Sequence, residues 1–170
     1  FQDYDTFLSL SNVYVRGNYL YTIYDASDND NIMRKIDINT GNVLMTYILN
    51  MYTIFDVFIT DNYIYIGYHN KVDKIDANTG EVLMEYPHRN CVSSIFVIGD
   101  FMYTACEDTL INNVWKIDIN TGEILMEYPQ EDFVTIVHVN GNNLYTSCGD
   151  KIVRKIDINT GDVLMEYPHG

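Results

Sequence analysis

The stretch Lys116-Ile117-Asp118-Ile119-Asn120-Thr121-Gly122-Glu123-Ile124-Leu125-Met126-Glu127-Tyr128-Pro129 recurs almost word for word, with further copies opening at Lys35, Lys74 and Lys155. Start positions 35, 74, 116 and 155 differ by 39, 42 and 39 residues. A period near 40 suits one four-stranded sheet per repeat, stacked side by side as blades, and not most helical repeats. Repetition therefore sets the architecture.

Inside one copy, Lys-Ile-Asp-Ile and Glu-Ile-Leu-Met-Glu-Tyr are short β-branched and aromatic runs, the composition of strands. The Asn-Thr-Gly between them suits a tight hairpin, with Asn expected to cap the turn and Gly to take positive φ. This assigns a structural turn to Asp37, Asn39 and Gly41, and equally to Asp76, Asn78 and Gly80, to Asp118, Asn120 and Gly122, and to Asp157, Asn159 and Gly161. Alternating oxygens before a glycine superficially match a calcium loop, but the segment is too short to wrap an ion and lacks the late bidentate Glu. Turn chemistry is the reading adopted. No cofactor is expected, neither calcium nor a quinone.

With 170 residues, 47% of them hydrophobic, the chain has the composition of a folded domain with a real core. Its net charge of −14 would repel phosphate over most of the surface, which argues against nucleic acid or an anionic membrane as partner. Cationic or neutral partners fit better. No apolar run approaches the ~20 residues that span a bilayer. Phe1-Gln2-Asp3-Tyr4-Asp5 shows no signal-peptide pattern and no initiator Met, so a processed product or a piece of something longer is expected. Cys91, Cys106 and Cys148 cannot all pair with one another. The last two fall at matching positions of successive repeats and read as small buried residues, so nothing demands an oxidising compartment and an intracellular or virion setting is the expectation.

Laying the repeats under one another gives four units with four candidate strands each, the blades running approximately over 5–47, 48–86, 87–128 and 129–167. The middle strands, such as Tyr63-Ile-Tyr-Ile and Phe101-Met-Tyr, are nearly continuous apolar runs, as expected where both faces are covered. The fold class expected is all-β, a β-propeller of four-stranded antiparallel blades. The alignment sets Tyr4 opposite Tyr86, and no spare strand is evident to latch first blade to last. Half of a seven- or eight-bladed ring, completed by a second chain or by missing sequence, is preferred over a closed four-bladed ring.

Each unit, with an aromatic strand such as Tyr19-Leu-Tyr21 or Tyr63-Ile-Tyr65 followed by Lys-Ile-Asp-x-Asn-Thr-Gly and then Val-Leu or Ile-Leu, resembles the repeat of pyrroloquinoline-quinone-like propellers and of related WD-repeat-like proteins. The resemblance covers essentially the whole chain and implies the propeller fold. It implies no activity: Met45, Met84, Met126 and Met165 stand where that family's outer strand has Trp, and its stacking Trp and Cys-Cys pair have no counterpart. The richness in Ile, Asn, Tyr, Lys and Asp is also similar to that of repeat proteins of giant viruses of amoebae.

The residue types that carry chemistry form no recognisable set. Lys35, Lys74, Lys116 and Lys155 each stand two residues before an Asp, on one face of a strand, and are expected to pair with carboxylates within or between blades. Glu85, Glu127 and Glu166 read as outer-strand residues facing solvent or a partner. His88 and His169 follow Tyr-Pro where other repeats have Gln130 and Leu49, a substitution that suits a loop and not a ligand set. The longer inserts, with Asp25, Asp28 and Asp30 in the first unit and Glu107, Asp108 and Asn112 in the third, are the expected partner-binding loops. The function expected is a non-catalytic scaffold for protein–protein interaction or self-association. Its rivals are a small-molecule enzyme using a central channel and a glycan-binding propeller.

Overall fold

Each repeat folds as a four-stranded antiparallel meander, and the strand order within every sheet follows the chain. The computed structural model describes residues 9–25, 31–49, 53–106 and 112–169. The first sheet contains β1 (Ser9–Arg16), β2 (Tyr19–Asp25), β3 (Asn31–Asp37) and β4 (Val43–Leu49). The second contains β5 (Asp56–Ile59), β6 (Tyr63–Gly67), β7 (Lys71–Asp76) and β8 (Val82–Pro87). The third contains β9 (Val92–Ile98), β10 (Phe101–Cys106), β11 (Asn113–Asp118) and β12 (Ile124–Pro129), and the fourth β13 (Val134–Asn140), β14 (Asn143–Cys148), β15 (Ile152–Asp157) and β16 (Val163–Pro168).

The repeated words occupy the third strand, the turn and the fourth strand. In the third sheet, Asp118 Oδ1 accepts from the amides of Asn120 (2.7 Å) and Thr121 (3.1 Å), while the Gly122 amide returns to the Asp118 carbonyl (2.8 Å). Asp37, Asp76 and Asp157 do the same in their turns. The cap is therefore the aspartate. Asn39, Asn78, Asn120 and Asn159 contribute the amide that is capped, contrary to the expected asparagine cap, because the carboxylate lies two residues back and offers a charged acceptor. Gly41, Gly80, Gly122 and Gly161 hold φ between 73° and 79°, the left-handed region in which a Cβ is strained. A register shift one step before the turn, as between Lys116 and Ile117, lets the wider turn close.

No sheet buries its own faces. The core lies between sheets in three clusters: Tyr21, Met33 and Tyr47 with Ile64 and Ile75; Tyr65 and Tyr86 with Ile95, Met102 and Ile117; Tyr103 and Tyr128 with Val137, Leu144 and Ile156. Each cluster joins one sheet to the next, and β5, β9 and β13 approach one another as the inner strands. This is the packing of blades around an axis. Among the described residues no cluster joins the first sheet to the fourth. The middle strands of the interior sheets, β6 and β10, are almost wholly buried, whereas β16 is exposed along its whole length.

Substituting Gly41 or Gly122 by Ala places a Cβ at the same strained φ, costing on the order of 1 kcal/mol in either case. At Gly122 the new atom also meets Met84 Cε at 3.0 Å, whereas at Gly41 it meets nothing within 4 Å. Thermal unfolding of the two variants should show the larger loss for Gly122→Ala. Equal losses would contradict the seam contact.

Candidate functional site

Where one blade meets the next, the repeated tyrosine of the outer strand reaches across. Tyr47 Oη donates to the Ala77 carbonyl (2.7 Å), Tyr86 Oη to that of Ile119 (2.7 Å) and Tyr128 Oη to that of Ile158 (2.6 Å). Each acceptor is the residue directly after the capping aspartate of the following blade, so turn and tyrosine form one device used three times. Burial raises the Tyr86 and Tyr128 hydroxyls to about 12, so they remain donors throughout the physiological range.

The lysines serve the same carbonyls. Lys35 Nζ donates to Ala77 O (3.2 Å) and Asn78 Oδ1 (3.3 Å), and Lys74 Nζ to Ile119 O (3.3 Å). Lys35, Lys74 and Lys116 lie 4.4 Å over the rings of Tyr19, Tyr63 and Phe101. The expected contact ion pairs with the turn aspartates do not form. A carbonyl at the seam is nearer than the carboxylate, and attraction persists only at longer range, as Asp118 acting on Lys74, whose pKa burial lowers overall. Contact ion pairs among the described residues lie elsewhere and include Arg16 to Asp61 (2.8 Å) between the first two blades, Lys71 to Asp73 (3.0 Å) and Glu85 (2.6 Å), and buried Arg154 to Asp150 (2.6 Å) and Glu166 (3.0 Å).

His88, in the connection directly after β8, also serves the seam. Its Nδ1 donates to its own strand's Tyr86 carbonyl (2.9 Å), which fixes the tautomer and leaves Nε2 to accept from Thr104 Oγ1 (2.9 Å) in the following blade. The ring stacks on Trp115 at 4.9 Å. One blade on, Gln130 repeats the bridge: Oε1 accepts from Thr146 Oγ1 (2.9 Å) and Nε2 donates to the Tyr128 carbonyl (3.3 Å). At the first seam, buried Leu49 belongs to the same apolar cluster as Ile66, which stands where the other blades have Thr. Inner strands are tied as well, with Asp56 Oδ2 accepting from the Ile95 amide (2.6 Å) and Ser94 Oγ from the Val137 amide (3.2 Å).

Of the loop candidates, Asp28, Asp30, Glu107 and Asp108 lie outside the described residues. Asp25 closes β2, and the Asn112 carbonyl accepts the Gln130 amide (2.8 Å), which anchors the start of β11. One nucleophile and base that the sequence did not bring together do meet: His69 Nδ1 is 2.8 Å from Cys91 Sγ, across 22 residues of chain. No disulfide joins the three cysteines. A cleft of about 390 Å³ opens among the inner hairpin tips, lined by Arg16, Asp61, Tyr65, Lys74 and Asp100 among others, and mixes both signs of charge. Among the described residues, no group of three His, Cys, Asp or Glu is arranged to hold a metal, and no helix is long and apolar enough to cross a membrane.

The outer rim carries a feature that the sequence reading passed over. After every turn the first two residues of the outer strand stay half exposed: Val43 and Leu44, Val82 and Leu83, Ile124 and Leu125, Val163 and Leu164, all between 41 and 53%. Four apolar pairs are thus repeated along one edge, beside the exposed carboxylates of Glu85 and Glu166. The signal was present, since Val-Leu or Ile-Leu occurs in every copy on a strand with a neighbour on one side only.

Sheets, seams and inner strands together define a β-propeller-like array of repeated blades. No protein-family model matches the sequence, and neither does any curated protein. Solved structures do match. The chain is similar to the computationally designed Ika8 protein, at TM-score 0.78 and 19% identity over 94% of this chain and 49% of that one. It is also similar to the computationally designed Ika4 protein, at TM-score 0.74 and 18% identity over 89% of this chain and 92% of that one. At such identities the likeness is one of fold, and the chain spans about half the length of Ika8.

Burial lowers the His88 pKa from 6.5 to about 4 in the fold. The unfolded chain therefore binds the proton more readily, and the stability contributed by the neutral ring is complete above pH 6.5 and declines as pH falls from there towards about 4. Replacing His88 by Gln, the residue that bridges the next seam, should flatten denaturant-measured stability across that window. A variant with undiminished pH dependence would assign the effect to other groups.

Proposed function

We propose that the protein is a non-catalytic propeller-type scaffold that binds other proteins, the observation carrying this reading being the four exposed apolar pairs on the outer strands. Contiguous exposed apolar surface marks interaction sites, and here it recurs at one-blade intervals on a rigid frame. The net charge of −14, with Glu85 and Glu166 beside the pairs, favours a partner face that is apolar and flanked by Lys or Arg. His88, Gln130, Lys35 and Lys74 are engaged in holding blade to blade. The array is read as part of a larger ring in preference to a closed four-bladed one, and an intracellular or virion-associated role fits its composition.

Quantitative affinity capture with the wild-type chain and with a Leu83→Glu/Leu125→Glu variant tests this reading. Both leucines are exposed, so the variant should melt within a few degrees of wild type while losing its captured proteins by about tenfold or more, as expected for charges placed in an apolar contact. Identical capture profiles would remove the rim from consideration. Capture that survives there but fails on replacing residues 107–111 by a Gly-Ser linker would return the role to the loops.

A further inference from the structure

The two end faces of the array are the two halves of the seam that the chain already forms three times, and we propose that they dock on a second copy, head to tail, to complete a ring. The surface used is the blade flank and not the outer rim, so this proposal stands apart from the partner-binding reading above.

Consider first the face that the fourth sheet offers. Tyr167 corresponds to Tyr47, Tyr86 and Tyr128, which are at most 4% exposed, yet it is 39% exposed. Met165 corresponds to Met45, Met84 and Met126, whose Cε atoms lie against Gly80, Gly122 and Gly161 of the following blade, and it is 52% exposed. His169, the counterpart of His88 and Gln130, is exposed too. On the inner strand, Ile136 stands where Asp56 and Ser94 grip the next blade, and is 60% exposed.

The first sheet offers the complement. Ile38, whose carbonyl is the counterpart of the three tyrosine acceptors, is 48% exposed, although Ala77, Ile119 and Ile158 are buried. Gly41 has nothing within 4 Å of a Cβ position where the other three turn glycines each meet a methionine. Val13 and Val15 are 52% and 65% exposed, whereas their counterparts Ile95 and Val97 in the third blade, and Val137 and Val139 in the fourth, are buried.

The unmatched groups on the two faces thus pair: Tyr167 with the Ile38 carbonyl and Met165 with Gly41, while Ile136, which offers no acceptor, adds an apolar contact to Val13 and Val15. Terminal blades of a stand-alone array carry polar outer faces, but these carry Val, Ile, Met and Tyr. Two copies related by a two-fold axis would each supply one face to each of two new seams. The chain overlays 49% of Ika8, which leaves length in that fold for a second set of blades.

Light scattering on the purified full chain should give twice the chain mass of 19.7 kDa. Met165→Glu and Ile38→Glu each spoil one face at a half-exposed position, so each variant alone should be monomeric with an unchanged circular dichroism spectrum. Mixed together they should recover dimer, because one seam of the mixed ring pairs two intact faces. A wild-type chain that stays at 19.7 kDa to its solubility limit, as a closed four-bladed ring would, overturns the proposal, as does a dimer that both variants leave intact or that mixing fails to restore. Should either variant fail to fold, Tyr167→Phe at the exposed end serves instead: the dimer dissociation constant should rise several-fold, and an unchanged one counts against the docking.

Discussion

The structure depends on a tyrosine hydroxyl donated to a turn carbonyl of the neighbouring blade. A four-stranded sheet of about 35 residues cannot bury both faces by itself, and stacking on a neighbour is the remedy open to repeats. Hydrophobic contact drives that stacking but leaves its angle and register loose. The Tyr47, Tyr86 and Tyr128 bonds remove that freedom, because each acceptor is fixed by an aspartate-capped turn that a glycine with positive φ closes. Each buried hydroxyl and carbonyl would be costly to leave unpaired, by about 1–3 kcal/mol. The turn is therefore a part of the interface as much as a connection.

Much of this was legible in the sequence. The period, the strand words and the left-handed glycines pointed to the all-β meander and to each turn, since those signals are local and repeated four times. What escaped the reading was relational. That Asp118 and not Asn120 caps the turn depends on a carboxylate curling forward over two residues, for which either residue type is suitable. That Lys35 and Lys74 seek carbonyls and aromatic rings in preference to carboxylates depends on which groups the adjoining blade brings near, and spacing along one strand carries no record of that. His88, Gln130 and Leu49 share a position directly after or at the end of an outer strand, and that variability conceals its role at the seam, where each has a matched partner one blade away.

The candidate surfaces divide in the same manner. The loops singled out from length lie largely outside the described residues, while the rim pairs were written in every copy and went unremarked. Apolar residues in a strand are ordinarily assigned to the core, and only the knowledge that β4, β8, β12 and β16 are edge strands reveals Leu44, Leu83, Leu125 and Leu164 as surface. The contact of His69 with Cys91 was likewise invisible, since it joins a hairpin tip to the following connection.

Near-identical repeats invite misassembly, because any blade can in principle stack on any other. The residue after Tyr-Pro acts against this. Leu49 faces an apolar site at Ile66, whereas His88 and Gln130 face threonines, so stacking out of order would set an imidazole against isoleucine or strand a threonine hydroxyl beside leucine. Such a mismatch buries a polar group without a mate, a penalty that the correct sequence of blades escapes. One variable position in an otherwise monotonous chain thereby sets the first seam apart from the two that follow it.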